Sequence, residues 1–137
     1  MVTANWIPKN KPGIYVITDR KLNNKKKGRY KVGMSINLKK RLDNYHTCWP
    51  SKKGYWVYNL IILKKNVKVI NFEKRLHTFL RKYPEIINLE MNSRVRKTEW
   101  YKSQLNVMKI AMRNFVLLNQ GEVEEHIYVH NIIDNIQ

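Results

Sequence analysis

The alternation of apolar and polar positions divides the chain into short segments of distinct period. "GIYVITD" (13–19) is β-rich and is entered through Pro12-Gly13, which predicts a strand. "RKLNNKKKGR" (20–29) is polar and reads as a loop, and "YKVGMS" (30–35) as a second strand paired antiparallel with the first. In "INLKKRLDNYH", Leu38, Leu42 and Tyr45 recur at i, i+4 and i+7, the stripe of a helix. Pro50 and Gly54 break the chain before "YWVYNLIILK" (55–64), which has the composition of a buried central strand. "VINFEKRLHTFLRKY" (69–83) puts Phe72, Leu76, Phe79, Leu80 and Tyr83 on one helical face, ended by Pro84. "EIINLEMNSRVRK" is weakly extended at most. From "TEWYKSQLNVMKIAMRNFVLLNQG", Leu105, Met108, Met112 and Phe115 repeat helically until Gly121 closes the helix. "HIYVHNII" (126–133) completes the pattern as a last strand. The order β-β-α-β-α-α(-β), without repeat or linker, predicts an α/β chain of the α+β kind. A small, three-stranded, mainly antiparallel sheet is flanked by helices, with a C-terminal helix. Residues 1–12 read as an N-terminal extension, 13–101 as the core, and 102–137 as a helix and tail packed on it, one domain overall.

Composition adds a partner. The 137 residues, 43% of them hydrophobic, suffice for a core. No apolar run approaches the roughly 20 residues that span a bilayer, so no membrane partner is expected. "MVTANWIPKNKPG" lacks a signal peptide's apolar stretch, and Cys48 alone forms no intrachain disulfide; both fit an intracellular, unsecreted protein. The net charge is +17. Residues 1–70 hold 17 Lys/Arg against 2 Asp/Glu, a net +15, whereas 71–137 hold 10 against 8, a net +2. Such an imbalance implies a polyanionic partner, nucleic acid above all. Part of it can be compositional, since Lys outnumbers Arg 19 to 8.

Several chemistries lack their residues. His46, His77, His126 and His130 show no recognised metal-ligand pattern, Cys48 and the serines lie in no nucleophile context, and the glycines are scattered. What remains is a dispersed set that the fold could gather: Tyr15 on the first strand, Lys31 and Gly33 on one face of the second, Arg41 and Tyr45 at i and i+4, and Glu73 early in the 69–83 helix. Each has an ordinary alternative as a packed tyrosine, a solvated cation or a first-turn glutamate.

Taken together these residues resemble the GIY-YIG nuclease superfamily. Gly13-Ile14-Tyr15 matches its first motif, and Lys31-Val32-Gly33 occupies the place of "YIG". "GMSINLKKRL" is similar to the passage "G-x-S-x-N-(x)-x-x-R-L", with Arg41 at the arginine position and Tyr45 where the family usually has His. Glu73 falls at the metal-binding glutamate, and "TEWY" (98–101) looks like the tail of a phage- and virus-rich branch that reads "YKxG". The resemblance covers residues 13–101. It departs in carrying Lys31, preceded by Tyr30, for the second tyrosine, in the insertion "RKLNNKKKGR", and in offering only Asn88 for a later asparagine.

The resemblance implies a metal-dependent endonuclease that hydrolyses phosphodiester bonds, in DNA rather than RNA, with one Mg²⁺ or Mn²⁺ on Glu73. Arg41 would face the scissile phosphate and Tyr45 the phosphate or leaving group. Either Tyr15, its phenol made acidic by Lys31, or Lys31 itself would serve as base. Lys39 and Lys40, with Lys25, Lys26, Lys27 and Arg29 of the basic loop and Lys52 and Lys53 of "SKK", would supply salt-dependent affinity. Trp49, Tyr55 and Trp56 are either base-stacking residues or core. Targeting would come from the chain's own loops, a homodimer or a partner protein. The alternative is a non-catalytic nucleic-acid-binding module on the same scaffold.

Overall fold

The computed structural model describes residues 7–18, 27–48, 56–90 and 97–128. Their elements are β1 (Gly13–Thr18), β2 (Gly28–Ser35), α1 (Leu38–Cys48), β3 (Trp56–Leu63), α2 (Val69–Leu80), β4 (Ile87–Glu90), β5 (Lys97–Ser103), α3 (Leu105–Leu118), a 3₁₀ turn at Gln120–Glu122 and β6 (Val123–Tyr128). The α+β class, the antiparallel sheet and the C-terminal helix are as expected. The sheet, however, has six strands rather than three, in the order β4-β5-β2-β1-β3-β6. The added strands are the weakly patterned ones. "INLE" became β4, and "KTEWYKS", which runs into the apolar stripe of α3 without a break signal, became β5. β5 is held by a ladder to β2, distant in sequence, which no local pattern reveals, and β4 is added to the edge by its antiparallel ladder with β5. The third, β6, begins at Val123, three residues ahead of the expected start.

The sheet separates two cores. β1 is buried along its whole length because β2 and β3 flank it and helices cover both faces. On one face Tyr15, Ile17, Leu60 and Ile62 pack with Leu38 and Leu42 of α1. On the other, Ile14, Val16, Tyr30, Val32, Tyr58 and Ile61 pack with Phe72 and Leu76 of α2 and with Met108, Met112 and Phe115 of α3. Arg75 ties α2 to the 3₁₀ turn, bonding Asn119 Oδ1 at 2.7 Å and Glu122 Oε2 at 2.6 Å. α3 ends at Leu118, where Asn119 N–H bonds the Val116 carbonyl, so Gly121 lies beyond the helix that it was expected to close. Among the described residues no helix is long and apolar enough to cross a membrane.

Candidate functional site

The segment from β2 into α1 shows how local chemistry aims a side chain. Gly33 pairs directly with Tyr15. A Cβ on Gly33 would strike the Tyr15 ring, so glycine there lets the ring lie across β2. Ser35 Oγ accepts from Asn37 N–H at 3.0 Å and donates to the Asn37 carbonyl at 2.9 Å, closing the turn. The Asn37 side chain then accepts the Lys40 N–H at 3.2 Å, an N-cap for α1. The glycine, serine and asparagine of "GMSIN" thus build the bend that carries Arg41. Arg41 is exposed, one residue before the buried Leu42.

Tyr15 is 3% exposed, within the core under α1. Lys31 shares its face, opposite Ile17 and therefore a diagonal neighbour of Tyr15. Tyr30 points to the other face, where burial pushes its phenol up to about 12. Lys27, Arg29 and Lys40 are exposed, while Lys39 is half-buried and bonded to Asp43 at 2.9 Å. Alternation along β2 and β5 aligns Arg29, Lys31, Trp100 and Lys102 on the α1 face, since Arg29 pairs with Lys102 and Lys31 with Trp100. Tyr45 lies on α1 one turn beyond Arg41, its side chain outside the described residues, as are Lys25, Lys26, Lys52, Lys53, Trp49, Tyr55 and the side chain of Trp56.

Glu73 belongs to the opposite face, on α2 beside the core residue Phe72. The register that sets Tyr101 against Tyr30 sends Glu99 and Tyr101 to this side. Carboxylate oxygens of Glu73 and Glu99 and a ring nitrogen of His77 all lie within 4.8 Å of one another. Glu73 Oε2 and His77 Nε2 are 3.8 Å apart, and both are buried without a hydrogen-bond partner. Buried polar atoms are rarely left so, and one cation shared between them satisfies both. His77 Nδ1 lies 2.5 Å from the Tyr101 hydroxyl, and the two rings stack. Desolvation pushes the Tyr101 phenol up to about 12, against the opposing pull of Arg81. Arg81 Nε donates to Asn88 Oδ1 at 3.2 Å, and Asn88 Nδ2 donates to the Trp100 carbonyl at 3.0 Å. Asn88 therefore borders the cluster without belonging to the acidic set.

The sheet thus gathers Tyr15, Lys31 and α1 on one face and Glu73 with His77 and Glu99 on the other. The β2–β5 ladder ends at Lys31–Trp100, and Glu99 is the next residue of β5. The sequence marks Glu99 and Tyr101 only as part of the "TEWY" tail and gives His77 no partner. The spacing Glu73-x-x-x-His77, i and i+4 on one helix face, was the available signal.

The model of the T5orf172 domain matches residues 13–116. The chain belongs to the T5orf172 family. The match runs from the glycine of β1 to Val116 near the end of α3, so this family spans both faces of the sheet and the Glu73 cluster. No curated protein and no solved structure matches the chain.

Proposed function

We propose that this T5orf172 domain is a divalent-metal-dependent endonuclease of GIY-YIG type that hydrolyses phosphodiester bonds in DNA. The family occurs in phage and in some homing-endonuclease-like proteins, which supports a nucleic-acid-related role. The observation that carries the reading is the orphaned Oε2 of Glu73, buried on a chain of net charge +17. Glu73 would hold one Mg²⁺ or Mn²⁺, which when bound supplies Lewis-acid polarisation of a phosphoryl oxygen and stabilises the departing 3′ oxygen. Arg41 presents its planar guanidinium to the phosphate as charge builds. Tyr15 orients or deprotonates the attacking water, or Lys31 takes the proton with Tyr15 positioning it. Tyr45 donates its hydroxyl to the phosphate or leaving group. Lys27, Arg29, Lys39 and Lys40, with Lys25, Lys26, Lys52 and Lys53, hold flanking phosphates. A homodimer or a partner protein would direct the cut.

Two observations favour the rival, a binding module without cleavage: Tyr15 is only 3% exposed, and the sheet stands between it and Glu73. Nicking of supercoiled plasmid with Mn²⁺, Mg²⁺ or EDTA decides between them. Cutting that needs metal and is lost in Glu73→Ala and Arg41→Ala supports the nuclease. Binding of plasmid, branched and single-stranded DNA with no cutting of any leaves the module.

A further inference from the structure

We infer that Glu73, His77 and Glu99 form a three-ligand metal site, and that its imidazole makes it select a first-row transition ion over Mg²⁺. This deepens the metal part of the proposed function and rests on Glu73 holding an ion there.

The donors come from two elements. α2 supplies Glu73 and His77 one turn apart, and β5 supplies Glu99, brought to them by its ladder with β2. The side chain of His77 is 8% exposed and that of Glu73 12%. Two ligand atoms 3.8 Å apart suit one ion about 2.1 Å from each, near the bond lengths of imidazole and carboxylate ligands. Glu99 is exposed, so its carboxylate can swing to complete the set. Nδ1 of His77 is engaged by the Tyr101 hydroxyl, which leaves Nε2 as the nitrogen that faces Glu73. A neutral hydroxyl can donate to Nδ1 while Nε2 carries the ring proton, and can accept from Nδ1–H once Nε2 gives its lone pair to a metal. Tyr101 is therefore a positioning residue, the kind of outer partner that orients a metal-bound histidine.

Mg²⁺ favours oxygen donors and retains much of its water, whereas imidazole suits transition ions. A lone glutamate would discriminate little between them; adding His77 makes nitrogen the deciding donor.

The test is calorimetric titration of the full chain, without nucleic acid, with Mn²⁺, Zn²⁺ and Mg²⁺. Wild type should bind Mn²⁺ and Zn²⁺ at least about tenfold more tightly than Mg²⁺. His77→Gln should collapse that ratio with little change toward Mg²⁺. Tyr101→Phe should weaken Mn²⁺ binding about 10- to 100-fold, an effect that metal-free melting temperatures separate from lost packing. Glu99→Gln, exposed and isosteric, should weaken all three ions without altering the metal-free fold. Pulsed electron paramagnetic resonance of the Mn²⁺-loaded protein should show one coordinated nitrogen, absent in His77→Gln. Equal affinity for Mg²⁺ and Mn²⁺, or a Mn²⁺ signal without nitrogen, overturns the assignment. A chain that cuts DNA with Mg²⁺ and shows no nitrogen keeps the nuclease and loses this site. A chain that binds Mn²⁺ through nitrogen and cuts nothing does the reverse.

Discussion

On the α1 face, Lys31 shares the sheet face of a buried tyrosine while Lys40 and Arg41 are exposed on α1, in a chain half of net +15, whereas on the α2 face Glu73 and Glu99 flank a buried histidine with no hydrogen bond to Nε2. On the proposed reading the first face attracts phosphate and the second holds a cation. The proposed phosphodiester hydrolysis would draw on both, and the β2–β5 ladder joins the strands that carry Lys31 and Glu99. Neither face alone predicts catalysis: one describes any basic nucleic-acid binder, the other any small metal site.

Removing the metal face should have the largest effect. Glu73→Gln is expected to lower plasmid cleavage at least about 10³-fold while DNA affinity stays near wild type; a parallel loss of affinity would make the two faces one binding surface. Arg41→Ala comes next, with about 10²–10³ lost in kcat if the guanidinium meets the transition state. Its exposure predicts a stability change within about 0.5 kcal/mol, so denaturant melts should superimpose.

A third effect lies at the β6 edge of the sheet, away from both clusters. His126, on β6, bonds Asn59 Oδ1 at 2.9 Å, and its imidazole is pushed down to about 4 by burial, with help from Arg113. The unfolded chain takes up this proton near pH 6.5 and the folded one only near 4. Stability from this group is therefore complete above pH 6.5 and declines as pH falls toward 4, by up to about 3 kcal/mol. Urea melts between pH 4 and 7.5 should show that slope, and His126→Gln should flatten it. A slope that persists unchanged in His126→Gln removes His126 as its source.

Gly33→Ala tests how the α1 face is aimed. Displacing the Tyr15 ring should cost about 1–3 kcal/mol and reduce cutting while metal affinity, read on the opposite face, holds. The smallest effect belongs to Arg29→Ala, expected to weaken binding on all DNA sequences alike and to reduce the salt slope by about 1. An unchanged slope removes the Arg29–Lys102 strip from the DNA contact surface.

Much of the α1 face was legible because its causes are local. Alternation assigned Lys31 rather than Tyr30 to the side of Gly33, and the ladder agrees, with Tyr15 opposite Gly33 and Tyr30 in the other core. The metal face was half-legible. Glu73 and His77 share a helix face at i and i+4, yet that single Glu–His pair matches no recognised metal-ligand pattern without its third donor. Glu99 could not be read as their neighbour, because "TEWY" merges with the pattern of the following helix.

The sequence by itself determined the α+β class, the β1–β2 pairing, the helical segments and the basic partner surface, since periods, caps and charge act over a few residues. The tertiary structure alone decided that the sheet has six strands, that Tyr15 and Glu73 lie on opposite faces, and that Glu99 meets His77. Those outcomes depend chiefly on ladders between residues far apart in the chain, β2 with β5 and β3 with β6, and a β-strand gains most of its stability from such partners rather than from its own propensity.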